Sequence, residues 1–225
     1  MQASKNFLHW VTLQLLAFFF TPFSFALAGL LAGILVSVEP YVFGVRSPLN
    51  SRFQPYYNQG IYLLSPLVTG LVLGTLSSVL QSVAMRKVAS FRMIRWVIPG
   101  ALGMAAAFLA FAWAYSGNLR GNLLLLASIF SAAVYGLATS LPQSHVLKKH
   151  LEITRGWIIA CTLGGILAFP LICTPVWLPE GKAYFWLIFP LCAIGGILFG
   201  VLTGIQYTIW LNNLSEPEQA KAVQI

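Results

Sequence analysis

Residues 61–87 read IYLLSPLVTGLVLGTLSSVLQSVAMRK. From Ile61 to Ala84 there is no charge, and the run closes on an amide, Gln81, followed within two turns by Arg86-Lys87. A helix needs about twenty apolar residues to cross the hydrocarbon of a bilayer. This stretch is long enough, and it ends on a basic pair suited to a headgroup layer.

The same kind of run recurs along the chain. The reading gives six spans, at about 10–38, 61–84, 95–115, 121–141, 157–178 and 184–211. Of the 225 residues, 58% are apolar and only 8% are charged. A soluble domain carries about 25% charged residues, so this chain could not cover a water-facing surface. Short alternating segments of the barrel type are absent. The expected fold is all-α, a polytopic membrane domain over residues 1–214 with a short polar tail, 215–225.

The ends of the runs set the expected orientation. The chain has no aspartate, and its glutamates (Glu39, Glu152, Glu180, Glu216, Glu218) lie at or beyond the ends of the runs. Nine Lys and Arg residues fall at the amino terminus, in loops 85–95 and 142–156, and in the tail; four fall on the other side. By the positive-inside rule both termini and the two basic loops are cytoplasmic. The net charge of +8 is thereby explained by topology and anionic lipid, not nucleic acid. Ala26-Leu27-Ala28 imitates a signal-peptidase site, but the apolar run continues to Val38, longer than a signal core needs. The first span is therefore expected to stay. Residues 39–60, rich in Pro, Tyr, Asn and Arg, read as an outer loop. There Tyr41, Arg46, Arg52, Tyr56 and Tyr57 are candidates for an interfacial belt or a partner contact.

A phrase repeats. GTLSSVLQSVAMRK (74–87) returns as GLATSLPQSHVLKK (136–149), and Gln81, Gln143 and Gln206 are 62 and 63 residues apart. Trp10, Trp96 and Trp157 open the following or preceding spans. Such recurrence marks a repeated supersecondary unit. It is expected to be three parallel helical hairpins, 10–84, 96–147 and 157–211. Within them Gly70, Gly74, Ser78 and Gln81 share one helix face, as do Ala132, Gly136, Ser140 and Gln143. Gly196, Gly200 and Gly204 form the same ladder, shifted by one position against Gln206. Small residues let backbones approach in lipid, and amides fasten the contact. These faces are expected to pack on neighbouring helices. The other reading of the glutamines, with Ser78 and Ser140, is a ring of amides that binds a polar solute or headgroup.

The Gly-x6-Gln-x3-[Met/Leu]-[Arg/Lys]-Lys phrase, followed by a Trp-led span, resembles uncharacterised multi-pass proteins frequent in cyanobacteria and some other bacteria. The likeness covers most of 61–211. In the usual form Trp follows the Gln; here Ser82, Ser144 and Tyr207 stand there. The resemblance implies a bacterial inner membrane protein, or a thylakoid one in a cyanobacterium, and implies no activity.

Chemistry is sparse. No Asp, Glu, Lys, Arg or His falls near the middle of a span, where a proton or ion path would need one. His9, His145 and His150 lie at the inner edge, without the i, i+4 spacing of a helical metal pair. Cys161, Cys173 and Cys192 form no CxxC and read as small packing residues. No GxSxG occurs. The expectation is a non-catalytic membrane protein without cofactor or metal. Its partners would be the lipid bilayer and other membrane subunits. A transporter or substrate-binding subunit for a small neutral or apolar solute is the alternative. In intact cells, cysteines introduced as Lys87→Cys or Lys148→Cys are expected to resist a membrane-impermeant maleimide and to react after permeabilisation. Labelling of unbroken cells would reverse the orientation.

Overall fold

The computed structural model describes residues 2–24, 26–27, 30–31, 50–116, 122–148, 151, 154–177 and 187–213. Six helices account for almost all of them: α1 (Gln2–Phe19), α2 (Asn50–Met85), α3 (Met93–Ser116), α4 (Asn122–Leu147), α5 (Arg155–Trp177) and α6 (Ile188–Asn213). Each of α2 to α6 contains a stretch long and apolar enough to cross a membrane, and α1 with the residues after it supplies a sixth, Ser4–Ser24. No strand occurs among the described residues. The physical reason is that hydrocarbon offers no partner for a backbone N–H or C=O, and a helix satisfies each from within.

Three boundaries differ from the sequence reading. The first helix starts at Gln2, not near Trp10, and the span it contributes ends at Ser24. Pro22 has no N–H to give to the carbonyl four residues back, and the helix breaks into a turn at Phe20. Residues 32–38, expected to complete this span, lie outside the described residues. The expected outer loop 39–60 is helical from Asn50 onward. Asn50-Ser51 is a helix start signal, so the helix begins ahead of the apolar run. Arg52, Tyr56 and Tyr57 thus belong to the α2 backbone, whereas Tyr41 and Arg46 lie outside the described residues, as does the tail 215–225. Finally, α4 continues past Pro142 to Leu147. Membrane helices tolerate such a proline because nearby Ser and Thr satisfy freed carbonyls. The carbonyl that Pro142 leaves free is that of Ala138, four residues back, whereas the Ser144 hydroxyl donates to the Leu141 carbonyl (2.8 Å).

Each helix packs on the next in the chain, and α6 packs on α1, which closes a ring of six. Of the six contacts in this ring, the α1–α2 contact is the least extensive among the described residues. Glycine faces make the close approaches. A Cβ on Gly70 would lie 2.5 Å from the Ala105 Cα, and one on Gly74 would strike the Gly100 carbonyl oxygen. On α4, a Cβ on Gly136 would meet the Thr162 backbone. On α6, Gly196, Gly200 and Gly204 lie against Leu15, Val11 and Phe7 of α1, with would-be Cβ contacts of 3.1–3.2 Å. Every expected packing glycine is therefore turned toward a neighbouring helix. The faces of α2, α4 and α6 meet α3, α5 and α1 respectively.

Inside the ring, Phe18, Leu73, Met104, Phe108, Phe169, Ile172 and Phe199 are buried. Phe18 and Phe199 stack obliquely at 5.6 Å, and Phe108 and Phe169 at 5.1 Å. The gap left between Phe18, Met104, Tyr135, Gly165, Ala168, Phe169 and Ile172 has no room for a water molecule. Cys161, Cys173 and Cys192 are free and buried.

Overpacking a tight core costs about 1–3 kcal/mol, and more where backbone must move. Gly136→Val, which sets two methyls against the Thr162 backbone, is expected to lower the midpoint of unfolding in detergent sharply. Gly195→Ala, whose Cβ would sit 3.2 Å from the Ala168 carbonyl oxygen, should fall much less. Equal midpoints for the two variants would contradict the close α4–α5 approach.

Candidate functional site

The most distinctive grouping is a layer of indoles and amides across one end of the ring. Trp10 on α1, Trp96 on α3 and Trp157 on α5 are each 0% exposed. Trp157 stands between the other two, with ring centroids 5.9 Å from Trp10 and 5.5 Å from Trp96. Tyr207 stacks on Trp10 at 4.7 Å, Trp210 lies 5.6 Å from Trp157, and Phe91 stacks on Trp96 at 5.1 Å. Aromatic pairs at these separations contribute about 0.5–1.5 kcal/mol beyond area burial.

An indole N–H can only donate, so each buried tryptophan requires an acceptor. Trp96 Nε1 donates to Gln81 Oε1 (3.3 Å), and Trp157 Nε1 donates to Gln143 Oε1 (3.1 Å). Trp10 Nε1 donates to Thr203 Oγ1 (2.9 Å). With their carbonyl ends thus assigned, the amide nitrogens must find acceptors elsewhere. Gln143 Nε2 donates to the Trp96 carbonyl (3.2 Å), and Gln81 Nε2 donates to Gln14 Oε1 (3.2 Å). Ser77 Oγ also donates to Gln14 Oε1 (3.3 Å). The chain of donors runs from Trp157 to Gln14, where Gln14 Nε2 is buried with no partner among the described residues.

The expected site residues sort as follows. Gln81 and Gln143 are 1% and 0% exposed and belong to the layer. Gln206 does not join them; it is half-buried, and its amide lies where a Cβ on Gly156 would fall. The cause is the one-position shift of the α6 ladder, which puts Tyr207 eleven residues after Gly196. Tyr207 is buried, and its hydroxyl donates to the Ala84 carbonyl (3.2 Å). Ser140 donates to its own helix at the Gly136 carbonyl. Ser78 is buried against Gly100. Neither serine enters the indole–amide chain.

Sequence reasoning missed Gln14, Thr203 and Tyr207, and it took the tryptophans as markers of span ends. Gln14 follows Trp10 by one turn and lies on the same helix face, in a run otherwise apolar from Leu13 to Phe20. That spacing was the available signal. The layer is built from indole, amide and hydroxyl groups, which exchange hydrogen bonds and exclude water. Among the described residues no three His, Cys, Asp or Glu side chains come together. No family model matches the chain, and no curated protein or solved structure is similar to it.

In membranes, interhelical side-chain hydrogen bonds contribute about 0.6–2 kcal/mol. A double-mutant cycle of Trp157→Phe and Gln143→Leu is expected to return a coupling energy of about that size. Trp10→Phe with Gln206→Leu should return a value near zero, because Trp10 uses Thr203. A coupling of Trp10 to Gln206 as large as that of Trp157 to Gln143 would contradict the layer.

Proposed function

We propose that this chain is a non-catalytic integral membrane subunit with a scaffold or assembly role. One observation carries the reading: among the described residues, buried aromatic and aliphatic side chains occupy the middle of the ring. Three tryptophans meet across one end, and the interior beyond them leaves no space for a water molecule at the gap beside Tyr135. A solute path lined by the glycine and glutamine faces would need those faces open, whereas Gly74, Gly136 and Gly200 lie against neighbouring helices. Partner contacts of such a subunit would use the outer surface. There large apolar side chains such as Leu8, Trp113 and Phe130 stand 65–75% exposed. The small-residue ladders are already engaged within the ring and leave these outer faces to lipid or to other subunits.

A second reading, a transporter or binding subunit for a small neutral or apolar solute, draws on Gln14. A buried amide without an acceptor costs about 1–3 kcal/mol, and a solute that accepts a hydrogen bond would relieve it. Extraction from native membranes in mild detergent separates the two. The scaffold reading expects migration well above the 24.6 kDa of the single chain, with the same companion proteins recovered under several detergents. A monodisperse single chain under all of them, together with solute uptake that is lost in Gln14→Leu, would replace it with the transport reading.

A further inference from the structure

We propose that the corner between α2 and α3 is a binding site for the headgroup of an anionic phospholipid. Residues 86–95, the connection and the first turn of α3, hold four cations, Arg86, Lys87, Arg92 and Arg95, and all four are exposed. The connection is also pinned. Val88 and Ala89 are 5% and 3% exposed and belong to the core, and Phe91 stacks on Trp96 with an interplanar angle of 26°. Backbone bonds from Lys87 to Ala84 (3.2 Å), Val88 to Met85 (2.9 Å) and Arg95 to Arg92 (2.9 Å) close the turns on either side. The apolar residues hold the corner inward, and the basic ones are left standing around it.

No carboxylate occurs among the described residues. Guanidinium groups match phosphate oxygens with paired hydrogen bonds, and each basic residue near an anionic surface contributes about 1 kcal/mol. The occupant is identified by what lies beside the charge. Ile94, Ile98 and Leu102 are 58%, 48% and 59% exposed. They follow at i, i+4 and i+8 and form one ridge down α3, starting at the residue before Arg95. A phosphate at the corner with an acyl chain along this ridge satisfies both features, whereas free phosphate would use only the first. The α4–α5 side carries three cations in sequence, Lys148, Lys149 and Arg155, against four here, and serves as the internal comparison.

The test uses the full chain in nanodiscs of phosphatidylcholine alone and of phosphatidylcholine mixed equally with phosphatidylglycerol. The expected result is a higher unfolding midpoint in the mixed discs. At least half of that shift should be lost in Arg86→Gln/Lys87→Gln/Arg92→Gln/Arg95→Gln. Most of it should be kept in Lys148→Gln/Arg155→Gln. Should the quadruple variant misfold, the pairs Arg86→Gln/Lys87→Gln and Arg92→Gln/Arg95→Gln carry the same comparison. Equal midpoints in the two lipids would overturn the proposal. So would equal losses at both connections, which would indicate general surface charge, or the same shift from inorganic phosphate added to phosphatidylcholine discs.

Discussion

A donor-only nitrogen sealed in a dry interior has one requirement, and it sets the register of this bundle. Three indoles meet at the centre of the ring, and each finds its acceptor on an even-numbered helix: Gln81, Gln143 and Thr203. Once an amide carbonyl is committed to an indole, its nitrogen must be satisfied in turn. Gln143 therefore reaches the Trp96 backbone, and Gln81 reaches Gln14. One kind of bond thus joins α5 to α4, α4 to α3, α3 to α2 and α2 to α1. The last link falls at the least extensive helix contact in the ring, where Ser77 and Gln81 both hold Gln14.

These bonds can form because the backbones are close. Lipid supplies no hydrophobic drive between helices, so contact area and hydrogen bonds must hold them. Gly70 and Gly74 bring α2 onto α3, and Gly136 brings α4 onto α5, while the α6 ladder receives α1. Helix separation and side-chain reach are therefore coupled. An added methyl on the glycine face pushes apart the pair of helices whose indole and amide must meet. Beyond the layer the buried side chains are mostly aromatic and aliphatic, with hydroxyls such as those of Thr69, Ser131 and Thr139 among them.

Much of the fold was legible because lipid makes composition decisive. Six uncharged runs give six helices, and the α2 and α4 ladders foretold the faces they bury. The unread parts have physical causes. Asn50 to Gly60 is polar enough to read as loop, yet a helix already committed to the bilayer extends through it. Pro142 reads as a terminus, but lipid leaves the chain no better option than to stay helical. The site was harder. Gln81 and Gln143 stood out by recurrence, and Gln206 followed by arithmetic alone. The glycines one residue out of phase were the warning that Tyr207 holds that position. Gln14 recurs nowhere, and Thr203 resembles any other threonine in a span. Their roles come from helices brought together across the ring, which spacing along the chain does not encode.

The closure of α6 on α1 has a consequence for how the chain is made. Trp10 precedes its acceptor, Thr203, by 193 positions. Chains are built from the amino terminus at about 5–20 residues per second, so the opening helix waits many seconds for its last neighbour. During that interval Gln14 can be held by Ser77 and Gln81, which arrive far sooner. The polar clasp between the first two helices then acts as an internal placeholder. It keeps the earliest segment docked until the final one is threaded into the bilayer and locks the circle.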